Sequence, residues 1–496
     1  MSAANQSEMP FVESIREYIS QQHDFWCMPG HKQGAGIHPQ LRDLWGQDFF
    51  RYDITEVYAS DVLAEPQKSL AQAQNLAAEA FGVDKTWFLV NGSSVGIIAA
   101  LCAIFQPDDP VLLSRSIHKS VIAGLTLSGA RPYYLSQPEG PTFAYGGVNL
   151  ADLEEKLAQI RPKAVFITSP NYYGLALDIN KIAAACHKHG SLLIVDEAHG
   201  THFKFHPALP QSAIDGKADV VIHSAHKTFG ALYQTALLHL VTPSSELENS
   251  IGQTLAMLQS TSPSVPLLMS IDAARSRFAT EGTALMAELI DLADSLRSHM
   301  NRMGHIKTID PPQSDLEKWG HTTYDKTRIV ARVSPPAGNA RDIKDYLARS
   351  CQCETELADN QHIVFTLAVG DCGKPLSAFD ITLQALDQIP QGFPQATNPP
   401  ANDIPNHARI SIPKLIMTPQ LAWRKPATTI ALSLAAGRIS KTTVCAYPPG
   451  TPLIVPGESI SEPMIRHIRM LIASGARITG LALTENNKEE KIAVVA

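Results

Sequence analysis

The stretch ADVVIHSAHKTFG, residues 218–230, decides how this chain is read. The apolar run ADVVI (218–222) ends in a polar cluster that carries Ser224, His226 and Lys227. A lysine at the end of a buried strand is costly unless it has a partner or a chemical task. The rest of the chain must supply what meets it.

Working outward, the same pattern recurs. Short apolar runs fall at WFLV (87–90), VLLS (111–114), PYYL (132–135), AVFIT (164–168), SLLIVD (191–196), DVVIH (219–223) and ALLHLV (236–241). Several are continuous, as strands covered on both faces require. Between them lie helix signals. NLADLEEKLAQI places Leu150, Leu153, Leu157 and Ile160 on one stripe behind a capping Asn149, and DINKIAAACHKHG runs from a capping Asp178 to Gly190. Alternating strand and helix predicts an α/β domain with a mostly parallel seven-stranded sheet. Right-handed crossovers then gather the loops after the strand C-termini on one edge, where ligands bind.

The 496 residues leave room for several domains. A long helix over 268–300 predicts a connection from a large domain, 1–285, to a small α/β domain, 286–388. The Pro-rich, polar segment 389–413 marks a linker, placed at 389–407, before a C-terminal α+β domain at 408–496. Hydrophobic residues make up 44% and charged residues 18%, which excludes global disorder. A net charge of −7 argues against a nucleic-acid partner. Seven cysteines with no CxxC pair read as reduced thiols, with no metal site. No apolar leader or membrane-length apolar run occurs, so the expected setting is cytoplasmic, away from membranes.

The strand ends carry the chemistry. NGSSVG (91–96) follows WFLV, and its Gly92, Ser93 and Ser94 open a helix whose N–H groups and hydroxyls can cradle a phosphate. His118 follows VLLS, DEAHG (196–200) follows SLLIV, and HSAHK follows DVVI. Singly, each is an ordinary cap, structural histidine or surface lysine. Together, phosphate cradle, His, Asp196 and Lys227 on one sheet edge are what pyridoxal 5'-phosphate (PLP) needs. Its phosphate wants N–H and hydroxyl donors, its ring nitrogen a carboxylate, and its aldehyde a lysine. Asp196 followed by Ser-x-x-Lys about 30 residues later resembles fold-type-I PLP enzymes.

The resemblance then becomes specific. MPGHKQGAG (28–36), DITEV (53–57), AQNLAAEAFGVDKTWFLVNGSSVGIIAAL (73–101), HKSVIAGLTLSGARP (118–132), DEAHGTHF (196–203), SAHK (224–227), LQSTSPS (258–264), AGRI (436–439) and YPPGTPLIVPGE (447–458) resemble the bacterial ornithine/lysine/arginine decarboxylase family in its short form, without an N-terminal wing domain. The resemblance implies a fold-type-I PLP-dependent transferase-like large domain. It implies that Ser93 and Ser94 hold the phosphate, with Gly92 allowing close approach, and that His118 stacks on the ring. Asp196 pairs with the ring nitrogen, Ala198 packs beneath it and His199 lies near its phenolic oxygen. Lys227 bears the Schiff base, flanked by Ser224, a further phosphate ligand, and by His226, a candidate proton donor. The implied reaction is decarboxylation of a basic L-amino acid, arginine ahead of lysine and ornithine, in a homodimer or higher homo-oligomer. A cationic substrate needs a carboxylate, and Glu458 is the candidate.

The chain departs from the family at SDVLAEPQK (60–68), where Val62, Ala64 and Lys68 replace Asp, His and Gly, and at TSPSV, where Val265 replaces an aromatic. These touch no expected PLP contact and bear on substrate. Two alternatives stay open: another fold-type-I enzyme, an α-oxoamine synthase or aminotransferase, and a non-catalytic PLP-binding homologue.

Overall fold

A computed structural model describes residues 5–21, 23–141, 144, 146–334, 339–389, 411–447, 450–483 and 490–496. The linker placed at 389–407 lies, apart from Ile389, outside them. The first eight strands are β1 (Lys85–Leu89), β2 (Pro110–Leu113), β3 (Arg131–Tyr134), β4 (Ala164–Thr168), the two-residue β5 (Leu175–Ala176), β6 (Leu192–Asp196), β7 (Val220–His223) and β8 (Ala236–Leu240). All but β5 form one seven-stranded sheet in the order β1-β8-β7-β6-β4-β2-β3. Each of the seven apolar runs in the sequence becomes one of its strands. Central strands such as Val220–His223 are wholly buried, which is why they read as unbroken apolar runs. The sheet is mixed: β2 pairs parallel with β3 and β4, while β8 runs antiparallel to both β1 and β7.

The chain divides into two compact units. The first comprises Met1–Ile104, Val195–Pro207 and Gln211–Met286. It holds β1, β7 and β8 and the helices Ser69–Phe81, Gly92–Ile104 and Ser245–Leu258. Phe81, Phe205, Phe229 and Phe278 stack against one another in its core, with Phe229 and Phe278 ring centroids 4.3 Å apart. Its N-terminal helix, Pro10–Ser20, is tied down by a fully buried ion pair. Asp272 Oδ2 accepts the Phe11 N–H at 3.0 Å and the Val12 N–H at 3.4 Å, capping the helix start, while Arg275 Nη2 donates to Asp272 Oδ1 at 2.6 Å. A carboxylate suits the positive end of a helix dipole.

The second unit comprises Phe105–Ile194, Ala208–Pro210 and Ala287–Ala496. Its β2, β3 and β4 are joined by helices, and two helices of the unit are capped as the sequence indicates. Asn149 accepts the N–H groups of Ala151 and Asp152 at the head of Leu150–Ile160, and Asp178 accepts that of Lys181 at the head of Ile179–Lys188. The long helix runs Val265–Met300. Beyond it, Ile306–Thr308, Arg328–Val333, Leu357–Ala358 and His362–Thr366 form a four-stranded sheet that is antiparallel throughout. The C-terminal residues build two three-stranded antiparallel sheets beside the helix Glu462–Ala473, around a core that includes Val444, Ile454, Ile465, Ile468 and Ile492. Among the described residues, no helix is long and apolar enough to cross a membrane.

Removing one partner of a buried ion pair leaves an uncompensated charge. Asp272→Ala is therefore expected to lower stability by about 3–5 kcal/mol. A urea unfolding midpoint equal to wild type would contradict the role assigned to this pair.

Candidate active site

In the first unit, three segments converge on one set of side chains. β1 ends in the turn that opens helix Gly92–Ile104. Gly92 has φ +73°, a conformation that favours glycine, and a Cβ there would meet nothing within 4 Å. The turn thus needs glycine for its backbone conformation, and no protein atom crowds it. The turn is held on both sides: Gly92 N–H donates to the Gln234 carbonyl at 2.8 Å, and Val90 N–H donates to Gln259 Oε1 at 3.0 Å. Ser93 and Ser94 occupy the first helical turn, where backbone N–H groups lack intrahelical partners.

β7 delivers the second group. Its last residue, His223, leads into Ser224 and then a single helical turn, Ala225–Thr228, that carries Lys227. The Ser224 hydroxyl donates to Ser93 Oγ at 2.9 Å, so Ser224 meets one of the serines expected at a phosphate. Lys227 Nζ lies 2.9 Å from His199 Nε2. His226 Nδ1 donates to the Thr235 carbonyl at 2.8 Å, leaving Nε2 as its other nitrogen. Burial pushes the His226 imidazole below its usual range, and the Lys227 charge adds to that.

The third group follows β6. Asp196 is buried, and Ala198 N–H donates to its Oδ1 at 3.1 Å. Burial raises its pKa above the ordinary carboxylate value; the Lys227 charge, the Ala198 N–H and His223 pull against that rise. A buried carboxylate under the influence of a lysine is the type of perturbed pair that marks functional sites.

His118 and Glu458 belong to the second unit. His118 caps the helix Lys119–Ser128, its Nδ1 accepting the Ser120 N–H at 3.2 Å, with the Ser120 hydroxyl 2.8 Å away. Glu458 does not fit the task expected of it. It is fully buried, and both of its oxygens are engaged. Arg115 donates to Oε1 at 2.7 Å and to Oε2 at 3.0 Å, and Val455 N–H donates to Oε2 at 2.9 Å. Arg115 also donates to the Leu453 carbonyl at 2.8 Å and lies 4.7 Å from the Tyr134 ring centroid. The carboxylate is consumed by a bidentate ion pair three residues ahead of His118, a use that leaves it no free oxygen for a substrate cation. Sequence reading missed Arg115; the signal was an arginine, in LLSRS, directly after an apolar strand, where burial demands a partner.

The departures also find places. Asp61 accepts the N–H groups of Val62, Gln67 and Lys68 and so pins its own loop. Val62 and Ala64 line a cavity of about 190 Å³ with Glu56, Gln74, Trp87 and Gln259. Val265 starts the long helix and is buried.

This fold and this arrangement of lysine, aspartate and serines define a class. The chain superimposes on the crystal structure of a lysine decarboxylase from Francisella novicida with a TM-score of 0.85, at 18% identity, over 99% of this chain and 82% of that one. Its sequence matches the Orn/Lys/Arg decarboxylase major domain over residues 9–321 and the C-terminal domain of the same family over 403–485. The chain belongs to the Orn/Lys/Arg decarboxylase family. It is similar to an arginine decarboxylase of Bacillus subtilis, at 32% identity over 96% of each chain, and to one of Bacillus anthracis, at 30% identity over 97% of this chain and 96% of that relative.

Glu458→Ala is expected to cost about 3–5 kcal/mol, because Arg115 would stay buried without its counter-charge. Chemical denaturation measures this. A variant of wild-type stability with a raised Michaelis constant would instead restore the substrate-binding reading.

Proposed function

We propose that this chain decarboxylates a basic L-amino acid, arginine first and lysine or ornithine after it, with PLP bound at Lys227. The observation that carries this reading is the convergence on one edge of Lys227, the buried Asp196 carboxylate on which its charge acts, and the paired hydroxyls of Ser93 and Ser224. Similarity to arginine decarboxylases over nearly the whole chain supports arginine as first substrate.

The residues present suit this cofactor chemically. A primary amine can hold its aldehyde, a buried carboxylate its ring nitrogen, and a helix start with two hydroxyls its phosphate. When bound, PLP supplies the electron sink that accepts the bond pair left as CO2 departs. Asp196 would hold a proton at the ring nitrogen. Its burial strengthens that charge–charge contact, and Ala198 N–H fixes the carboxylate's orientation. Ser93, Ser224 and the N–H groups of the first turn would bind the phosphate. Lys227 and His199, at 2.9 Å, can exchange a proton, so His199 can help to set which form of the amine is present. The resemblance gives His118 the ring face, and its Nδ1 contacts with Ser120 hold the imidazole in one orientation. His226 would return a proton to the substrate carbon from Nε2.

The assembly we infer is a homodimer or larger. Trp26, Leu44, Tyr233 and Met257, all in the first unit, are exposed large apolar side chains of the kind that partner surfaces cover. The cytoplasmic setting is supported by the seven cysteines, none of which is in a disulfide.

Incubation with PLP and each of arginine, lysine and ornithine, with the amine product read by mass spectrometry, tests the reading; no CO2 from any of the three would reject it. Lys227→Ala is expected to lower turnover about 10³-fold or more, since it removes the covalent anchor and a proton carrier together. His226 makes a pH prediction. A depressed pKa means that the protonated ring is lost early as pH rises, so turnover through His226 falls on an alkaline limb below the ordinary imidazole value of 6.5. That limb should vanish in His226→Gln; its persistence there would hand the proton to Lys227.

A further inference from the structure

Three buried titratable residues have no part in the mechanism above. Glu197, His223 and His239 line up with Thr86 across four neighbouring strands. Thr86 is on β1, His239 on β8, His223 ends β7, and Glu197 directly follows β6. Thr86 and His239 are direct register partners. Thr86 Oγ1 lies 2.8 Å from His239 Nδ1, His239 Nε2 lies 3.1 Å from His223 Nδ1, and His223 Nε2 lies 2.7 Å from Glu197 Oε2. Glu197 also accepts the Ala213 N–H at 2.8 Å and the Ser212 hydroxyl at 3.1 Å. None of the four side chains is more than 1% exposed. The Phe81 ring covers both imidazoles, with centroids 5.3 Å from His223 and 4.6 Å from His239.

Such a chain is expensive to bury, and an apolar core of the same volume would often be as stable. Its position suggests what it does. Glu197 is the residue after Asp196, and His223 is the residue before Ser224, on the segment that carries Lys227. Successive residues of extended chain point to opposite faces. The Glu197–His223 bond therefore ties together, from behind, the two segments that present Asp196 and Lys227. His223 also acts electrostatically on Asp196, opposing the rise that burial causes.

We propose that Glu197, acting through His223, is a positioning residue for Asp196: the buried Glu197–His223 bond, closed behind the ends of β6 and β7, fixes the segment that presents Asp196 against the one that carries Lys227, so that the Asp196 carboxylate is held toward the cofactor ring nitrogen. The inference rests on the PLP reading of the site. In the bond to Glu197, the His223 Nε2–H donates to the carboxylate. Burial, with His223 adding to it, holds the His239 imidazole well below its usual range. The titratable groups that act on Asp196 are Lys227 and His223, and His223 in turn acts on Glu197 and His239.

The test compares wild type with Glu197→Gln, which keeps the shape and replaces the carboxylate–imidazole bond with a weaker amide one. Two readouts are needed: the PLP dissociation constant, from equilibrium dialysis of apoprotein, and the pH titration of the visible absorption band of bound PLP. Glu197→Gln should weaken PLP binding about tenfold and move the titration midpoint, while Glu197→Asp partly restores both. His223→Gln, which puts an amide in place of the imidazole, should give the same shift and serves if Glu197→Gln does not fold. Wild-type affinity with an unshifted band in the folded variants overturns the inference alone. A wild-type protein that takes up no PLP overturns the site reading, and the inference with it.

Discussion

The constraint on which this site turns is a carboxylate, Asp196, buried where water does not reach it. Burial favours its neutral form. The structure answers with a lysine charge from the segment after β7, a backbone N–H from Ala198, and an imidazole, His223, behind it. Two of the three come from the end of β7 and one from the turn after β6. The geometry of that edge is thus the condition for the electrostatics.

The same physics explains how the C-terminal part of the chain is used. Glu458, a conspicuous acid in a Pro-Gly turn, looks from sequence like a free carboxylate waiting for a cation. It has its cation already, in Arg115. Both groups are buried, so neither is tolerable alone, and the turn and the strand-end loop that leads to His118 hold one another in place. Asp272 and Arg275 repeat the device at the N-terminal helix. In both places a buried ion pair joins segments far apart in sequence.

The fold was largely legible. All seven strands of the main sheet announce themselves as apolar runs, because strands covered on both faces cannot alternate. Helix starts at Asn149 and Asp178 were legible from capping chemistry alone. The meeting of Ser93 with Ser224, and the strand-end placement of Asp196 and Lys227, were also within reach, since both follow from where loops fall on an α/β sheet. The antiparallel course of β8 was not, because strand direction leaves no mark on an apolar run.

Sequence by itself determined the class of architecture and the family, since periodicity, caps and motifs are local properties that survive as strings of residues. Only tertiary structure decided which polar side chains are spent on one another. Glu458 was committed to Arg115 across more than 300 positions, and Glu197 to His223 and His239 across three strands. Burial is what makes such pairs obligatory, and burial is settled by packing between segments that the linear order keeps far apart.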